Sequence, residues 1–418
     1  MSIKVGFVSL GCPKNLMNTE RMLSILANNG YEIVAEDIEA DVVVINTCAF
    51  IESAKREAID SVLDVAWLKE HRSLKGIVLA GCLPQRYQDE ILKELPEVNC
   101  IIGTGSVDQI SQAVQAAYEG RPYRSFEDVD KAMFFGERVV TTPDYFAYLQ
   151  ISEGCDNHCT YCVIPSIRGK YRSRPFSDIL DEARDLAALG VKELCLIAQD
   201  TTKYGEDLFG TYSLDALLLE LAEIEGIEWI RILYGYPDRV TDGLIEVMAN
   251  CDKVVKYLDI PIQHISNDIL KRMNRRDTRE EIVQTIQKLR ERVPGIVLRS
   301  TVIVGFPGET KEQFEELRDF LKEIRFERLG VFKYSREDGT PAYDFPDQVS
   351  EKTKQRRYEI LMQQQERIHN EFNQSFLGKT LRVLCEGYDQ VAESFYGRSY
   401  ADAYEIDGKI YFSSTKNI

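Results

Sequence analysis

Three cysteines in the run Gly154-Cys155-Asp156-Asn157-His158-Cys159-Thr160-Tyr161-Cys162 are spaced C-x3-C-x2-C, directly after an apolar, strand-like stretch from Phe146 to Ile151. Soft thiolates packed this closely, without a second C-x2-C pair, suit iron and sulfur. Three thiolates on a cubic cluster of four irons leave one iron without a protein ligand, and an open iron is a place for chemistry. Structural zinc is the competing reading, but it asks for a closed tetrahedral set. The fourth ligand would have to be His158, squeezed between two of the cysteines, where its ring can hardly turn toward a shared metal. A disulfide pair does not suit a chain that reads as lacking a signal peptide and scatters its ten cysteines along 418 residues.

The elements that must position these thiols can be read from periodicity. A chain this long exceeds one core, since single cores stop growing at about 250 to 300 residues, and roughly three domains are expected. From the start to about Asp130, short apolar strands (Ile3 to Leu10, Asp41 to Ile45, Ile77 to Ala80) alternate with helical runs, the first from Asn15. That pattern means a parallel sheet covered on both faces. Each of these strands ends in a cysteine: Cys12, Cys48 and Cys82. The carboxyl ends of parallel strands share one edge of the sheet, which is where ligands bind, so these three thiols are expected to meet and form a second metal site. The ordinary alternative is a small buried hydrophobe. Cys195, inside the strand Glu193 to Ile197, has that character, and Cys100, Cys251 and Cys385 are taken as structural with it.

Six strand-then-helix units follow between about Asp144 and Asp344. Their strands are Phe146 to Ser152, Lys192 to Ala198, Trp229 to Tyr234, Tyr257 to Ile262, Val297 to Phe306 and Leu329 to Tyr334. They read as an open (β/α)6 barrel whose active face lies at the carboxyl ends of the strands. Ser350 is positioned as the N-cap of a long helix with Tyr358, Leu361, Ile368 and Phe372 on one stripe. From Lys379 the period changes to two, as in Leu381-Val383-Cys385, and small strands follow. The expected division is therefore α/β throughout: a parallel α/β domain over 1–135, the barrel over 144–345, a helical linker over 346–376 and a small β-barrel-like module over 377–418.

Against 51 Lys and Arg stand 68 Asp and Glu, a net charge of -17. This opposes long-range attraction to nucleic acid, although a local basic groove could override it. No apolar run approaches the ~20 residues that span a bilayer, so no membrane association and a cytoplasmic address are expected. No internal repeat or low-complexity segment is visible.

The cysteine triplet in the loop after the first barrel strand resembles the signature of the radical S-adenosylmethionine enzymes. With a second cysteine set in a preceding α/β domain and a terminal β module of the TRAM type, nearly the whole chain resembles the methylthiotransferases of that superfamily. Within them, the runs Leu10-Gly11-Cys12-Pro13-Lys14-Asn15, Asn46-Thr47-Cys48-Ala49-Phe50, Arg168-Gly169-Lys170-Tyr171-Arg172-Ser173-Arg174 and Ala198-Gln199-Asp200-Thr201-Thr202 resemble the branch, known as RimO, that modifies an aspartate of a small-subunit ribosomal protein (protein twelve). They are less like the branch that methylthiolates an adenosine beside the tRNA anticodon, which stands as the alternative. The charge points the same way, because counterion release dominates tRNA binding. Residues 379–418 carry only Lys379, Arg382, Arg398, Lys409 and Lys416 against six acidic side chains. A basic protein or the ribosome is the expected partner, and tRNA is not.

The resemblance implies two 4Fe-4S clusters. Cys155, Cys159 and Cys162 would hold the one that chelates S-adenosylmethionine, and Cys12, Cys48 and Cys82 an auxiliary one. A 5'-deoxyadenosyl radical would take hydrogen from the aspartate β-carbon, sulfur or methylsulfide on the auxiliary iron would capture the carbon radical, and a second S-adenosylmethionine would supply the methyl group. An external one-electron reductant and a sulfur donor are implied as well.

Gln199, Asp200, Gln263, His264 and Arg299 lie at the predicted active edge as candidates for holding the methionine and ribose groups. Gly305, Gly308 and Glu309, in Gly305-Phe306-Pro307-Gly308-Glu309, fall where the family places the adenosine; a tight strand-to-helix turn is the other reading. Arg168, Arg172 and Arg174 could grip a carboxylate, with solvated loop charge the favoured expectation. The TRAM module of the family usually continues for further strands, whereas this chain stops at Ser413 to Ile418, so the module reads as incomplete and its barrel as open.

Overall fold

The computed structural model describes residues 2–415. Its first layer is a six-stranded sheet of β1 (Lys4–Ser9), β2 (Glu32–Ile33), β3 (Val42–Thr47), β4 (Gly76–Gly81), β5 (Cys100–Ile102) and β6 (Tyr123–Ser125), in the order β2-β1-β3-β4-β5-β6. Every pairing is parallel. All six residues of β3 and of β4 are buried, as strands covered on both faces must be. Helix α1 (Pro13–Asn28) follows β1, α2 (Glu52–His71) follows β3, and α3 (Cys82–Tyr87) starts where β4 stops. The short strands β2, β5 and β6 were not legible in the sequence, because two or three residues carry no period.

The second sheet runs β7 (Phe146–Gln150), β10 (Glu193–Ile197), β11 (Trp229–Ile232), β12 (Val254–Asp259), β13 (Val297–Val304) and β14 (Arg328–Lys333), all parallel and in chain order. A two-stranded antiparallel ribbon, β8 (Ser152–Glu153) with β9 (Arg172–Ser173), brackets the cysteine loop. The six expected barrel strands are present. One is displaced: β12 begins at Val254, and Ile260 to Ile262 lie beyond its end.

Alternation divides each barrel strand between two cores. Leu194 and Leu196 face the helices and pack with Ile179, Ala183 and Leu186. Cys195 and Ile197 face the interior with Phe146, Tyr148, Trp229 and Tyr257. That interior is not filled by the barrel alone, since Met17 of α1 enters it, as do Ala401 and Ala403 from the terminal module.

Ser350 caps the helix Glu351–Gln374, its hydroxyl accepting from the Thr353 amide, and Leu361 and Ile368 are buried on the expected stripe. The terminal module is an antiparallel sheet of β15 (Leu384–Asp389), β16 (Ser394–Arg398) and β17 (Ile410–Phe412). The strand expected from Leu381 starts instead at Leu384, and residues 416–418 of the expected module lie outside the described residues. Arg398 pins this module to the barrel by pairing with Glu193 at 2.6 Å, and Arg231 of β11, itself paired with Glu193, donates to the module's Tyr400 carbonyl at 2.8 Å. No described helix is long and apolar enough to cross a membrane.

Candidate active site

Cys12, Cys48 and Cys82 leave β1, β3 and β4 side by side, and the residues just before them explain how. Gly11 has φ +94°, and a Cβ there would stand 2.7 Å from the Cys48 Cβ. Gly81 has φ +92°, with a Cβ 2.3 Å from Asn46 Oδ1 and 2.8 Å from the Thr47 carbonyl. Only glycine turns the chain there and lets the neighbouring exit approach so closely. The Thr47 hydroxyl donates to the Ala80 carbonyl at 2.7 Å, tying β3 to β4.

Asn15, fully buried in the first turn of α1, ties all three exits together. Its Nδ2 donates to the carbonyls of Leu10 (3.0 Å) and Thr47 (2.7 Å), and its Oδ1 lies 3.5 Å from Cys82 Sγ. Burial pushes the Cys48 thiol up to about 12, with Cys82 and Cys12 adding to the shift. Burial also raises the Cys82 thiol, against the pull of Arg168.

The barrel trio sits in the loop between β8 and β9. Gly154, with φ +77°, passes so close to Lys170 and Gly169 that a side chain would strike their carbonyls. The Cys155 amide donates to the Gly169 carbonyl and the Cys162 amide to the Cys159 carbonyl, each at 3.0 Å. Burial pushes the Cys155 thiol up to about 11 and the Cys162 thiol higher still, Cys159 adding to both. His158 is exposed in a left-handed turn, φ +49°.

Among the described residues no group of three or more His, Cys, Asp and Glu converges tightly enough for one metal ion. A cubic cluster makes a different demand, one thiolate per iron, and two all-thiol trios with cations beside them match its soft, anionic character.

Between the trios lies a buried polar network that sequence reasoning saw only in part. Glu153, two residues before Cys155, takes Lys14 on Oε1 at 3.3 Å and Arg168 on Oε2 at 3.4 Å. The Gln199 amide donates to the same carboxylate at 2.7 Å, and Lys14 also bonds the Gln199 oxygen. Burial alone would raise the Glu153 carboxyl, but Lys14, Arg168 and the hydrogen bonds from Gln199 and Gly154 bring it down to about 2. Lys14 appeared in the sequence only as a member of the run Leu10 to Asn15, with no sign of its partner, and Glu153 gave no signal at all, since their pairing spans two domains.

The expectation of solvated arginines is corrected here. Arg168 and Arg174 are buried and Arg172 is partly so. Arg168 grips Glu153, Arg174 pairs with Glu182, and Arg172 donates to the carbonyls of Ala132 and Val129 at 2.7 Å each. Loops at a domain junction are not solvated loops.

The remaining candidates fall into separate groups. Gln199 belongs to the network above. Asp200 accepts from Asn157 of the cysteine loop at 3.1 Å and pairs with Arg239. Arg299 pairs with Asp259 at 3.1 Å. Gln263 (φ +64°) and His264 follow β12, and Gly305, Gly308 and Glu309 follow β13.

His264 accepts the Ser266 amide on Nδ1 at 3.0 Å, while its Nε2 stands 3.8 Å from Glu309 Oε1. Both of those atoms, and Gln263 Oε1, are buried without a hydrogen-bond partner. Such unmet polar groups are what a polar ligand would satisfy. Gly305 (φ +74°) and Gly308 (φ +80°) have their Cβ positions taken by the side chains of Lys354 and Arg272. The two glycines therefore make room for protein atoms in a tight turn.

Comparison with known proteins follows the same division of the chain. The family model of the Radical SAM superfamily matches residues 149–321, that of Uncharacterized protein family UPF0004 matches 4–103, and that of the TRAM domain matches 377–418. A protein of Caldanaerobacter subterraneus subsp. tengcongensis named Ribosomal protein uS12 methylthiotransferase RimO is 51% identical, over 99% of this chain and 94% of its own. One of the same name from Geotalea uraniireducens is 50% identical over 98% and 92%. Among solved structures, the radical S-adenosylmethionine methyltransferase TsrM from Kitasatospora setae, with cobalamin and a [4Fe-4S] cluster bound, superposes with a TM-score of 0.60 at 14% identity. It covers 82% of this chain and 74% of its own, a likeness of fold.

Proposed function

Because the chain belongs to the ribosomal protein uS12 methylthiotransferase family, RimO, we propose that it inserts a methylthio group at the β-carbon of an aspartate in that small-subunit ribosomal protein. The enzyme is a radical S-adenosylmethionine methylthiotransferase. The reading is carried by one observation: two cysteine trios, from different domains, abut a single buried network in which Lys14 and Arg168 share Glu153. Cys155, Cys159 and Cys162 would hold a cluster that chelates S-adenosylmethionine, and Cys12, Cys48 and Cys82 an auxiliary one. When bound, these groups supply a carbon-centred radical, a soft sulfur donor and the methyl group.

The chain's own residues do the rest. Asn15 and the glycines at 11 and 81 hold three exits in register, so the amino-terminal thiols keep a fixed spacing. The hydrogen bond from Asn157 to Asp200 fixes the barrel cysteine loop against the exit of β10. Lys14 and Arg168 neutralise charge in a site from which water is largely excluded, where unpaired anions would be costly. Gln263, His264 and Glu309 offer unmet polar atoms for the cofactor's polar groups. The acidic balance of the chain favours a basic protein over tRNA.

The test is incubation of the anaerobically reconstituted enzyme, with a one-electron reductant and sulfide, against the ribosomal protein and against tRNA, read by mass spectrometry. A methylthio mass increment on the aspartate peptide alone is expected; one on tRNA alone refutes the substrate. Iron and sulfide content of Cys12→Ala and Cys155→Ala should each fall by about half, one cluster apiece.

A further inference from the structure

Neutralising Glu153 needs one cation, and the network holds two. Lys14 and Arg168 are both buried beside a single carboxylate, with side chains 6% and 4% exposed. A buried charge without a partner is costly, so the surplus positive charge should meet an anion. Arg168 shows where it goes. The residue ends the helix Ile164–Arg168, in the loop leaving the barrel cysteines, yet its Nη2 crosses to the other domain. There it lies 2.5 Å from Asn15 Oδ1 and 3.6 Å from Cys82 Sγ, within reach of an N–H···S hydrogen bond. A guanidinium stays charged at any working pH and presents several donors in a fixed plane, so the positive charge beside this sulfur does not titrate away.

We propose that Arg168 is a positioning residue for the amino-terminal trio: it holds the Cys82 thiolate and raises the reduction potential of the cluster carried by Cys12, Cys48 and Cys82. The inference rests on the two-cluster reading above. A charged donor to a ligand sulfur withdraws electron density and favours the reduced, more negative state of a cluster; hydrogen bonds to sulfur and local charge are the protein's usual means of setting such potentials. Because the donor comes from the barrel loop and the sulfur from the α/β domain, the electron affinity of one centre depends on the docking of the loop that carries the other.

The experiment uses the full chain with Cys155, Cys159 and Cys162 changed to Ala, which retains only the amino-terminal cluster. It is reconstituted anaerobically and titrated with dithionite in the presence of mediators, each cluster taking up one electron, with the reduced state read by electron paramagnetic resonance. Arg168→Gln in this background should reduce at a lower potential than its parent, and Arg168→Lys, which keeps the charge but loses the planar fork, in between. A merely structural arginine would change unfolding without moving the potential. Equal potentials in parent and variants overturn the inference while leaving the two-cluster reading intact. A parent that binds neither iron nor sulfide overturns both. Should Arg168→Gln fail to fold, Arg168→Lys decides alone, a potential equal to the parent's counting against the proposal.

Discussion

Replacing Asn15 by Ala tests whether one amide holds the three cysteine exits together. The side chain donates to the Leu10 and Thr47 carbonyls and accepts from Arg168, with no exposure to solvent. Two neutral hydrogen bonds at about 1 kcal/mol each and one to a charged group at about 1.5 to 3 kcal/mol sum to roughly 4 kcal/mol. The three share one residue and relax together, so about 3 kcal/mol is the expected loss. A domain stability of about 5 to 15 kcal/mol can absorb that loss, so the variant should fold.

Its exits, however, would no longer be locked. Urea unfolding of the apoprotein should show a lower midpoint with an unchanged slope, and, on the proposed two-cluster reading, reconstitution should restore about half of the wild-type iron. Asn15→Asp keeps the shape and the Arg168 contact but turns the amide donor into an acceptor facing two carbonyls. It should lose iron almost as severely. Full iron in both variants, with a wild-type midpoint, would refute the reasoning.

Two further outcomes follow from the packing. Glu193 is fully buried between Arg231 and Arg398, and although burial works against its charge, the two guanidiniums hold its carboxyl below the ordinary range. Glu193→Gln removes the carboxylate paired with Arg231, while Arg398 keeps Glu386, and should cost about 3 to 5 kcal/mol by urea unfolding. A depressed carboxyl means that the unfolded chain binds the proton first. Its stabilisation is therefore complete above the ordinary glutamate value of about 4.3 and fades as pH falls through the lower folded value, so wild type should lose more stability on acidification than the variant does. Gly81→Ala must place a side chain at φ +92° and 2.3 Å from Asn46 Oδ1, so a loss of at least ~2 kcal/mol is expected, with weakened iron retention by the amino-terminal trio.

The placement of Cys12, Cys48 and Cys82 at one sheet edge was legible because it follows from topology. Once β1, β3 and β4 are recognised as parallel strands, their carboxyl ends share an edge and the cysteines placed there are neighbours, however far apart in sequence. Boundaries failed where the apolar run outlasts the ladder: Ile260 and Ile262 are fully buried and still run beside β13, the Ile260 amide donating to the Arg299 carbonyl at 2.9 Å, but the regular ladder of β12 stops at Asp259, just before Pro261, which has no amide to donate. The loop after the barrel cysteines failed for a different reason. Its arginines look like solvent-facing charge in any window of sequence; docking of the amino-terminal domain supplies Asn15 and Cys82 to Arg168, and Arg174 turns back to Glu182 in the following barrel helix, Phe176–Ala188.

Separation along the chain marks the residues that couple the two halves. A residue whose partners all lie within its own βα unit can be inferred from local pattern, as Ser350 was at its helix cap. Lys14, Glu153 and Arg168 answer to partners 15 to 153 positions away, and those partners flank both cysteine trios. Long-range pairing of this kind cannot be required for either domain to form its own sheet. Its cost in buried charge is justified where the two domains must meet in one register, which is what the proposed reaction between two clusters would demand.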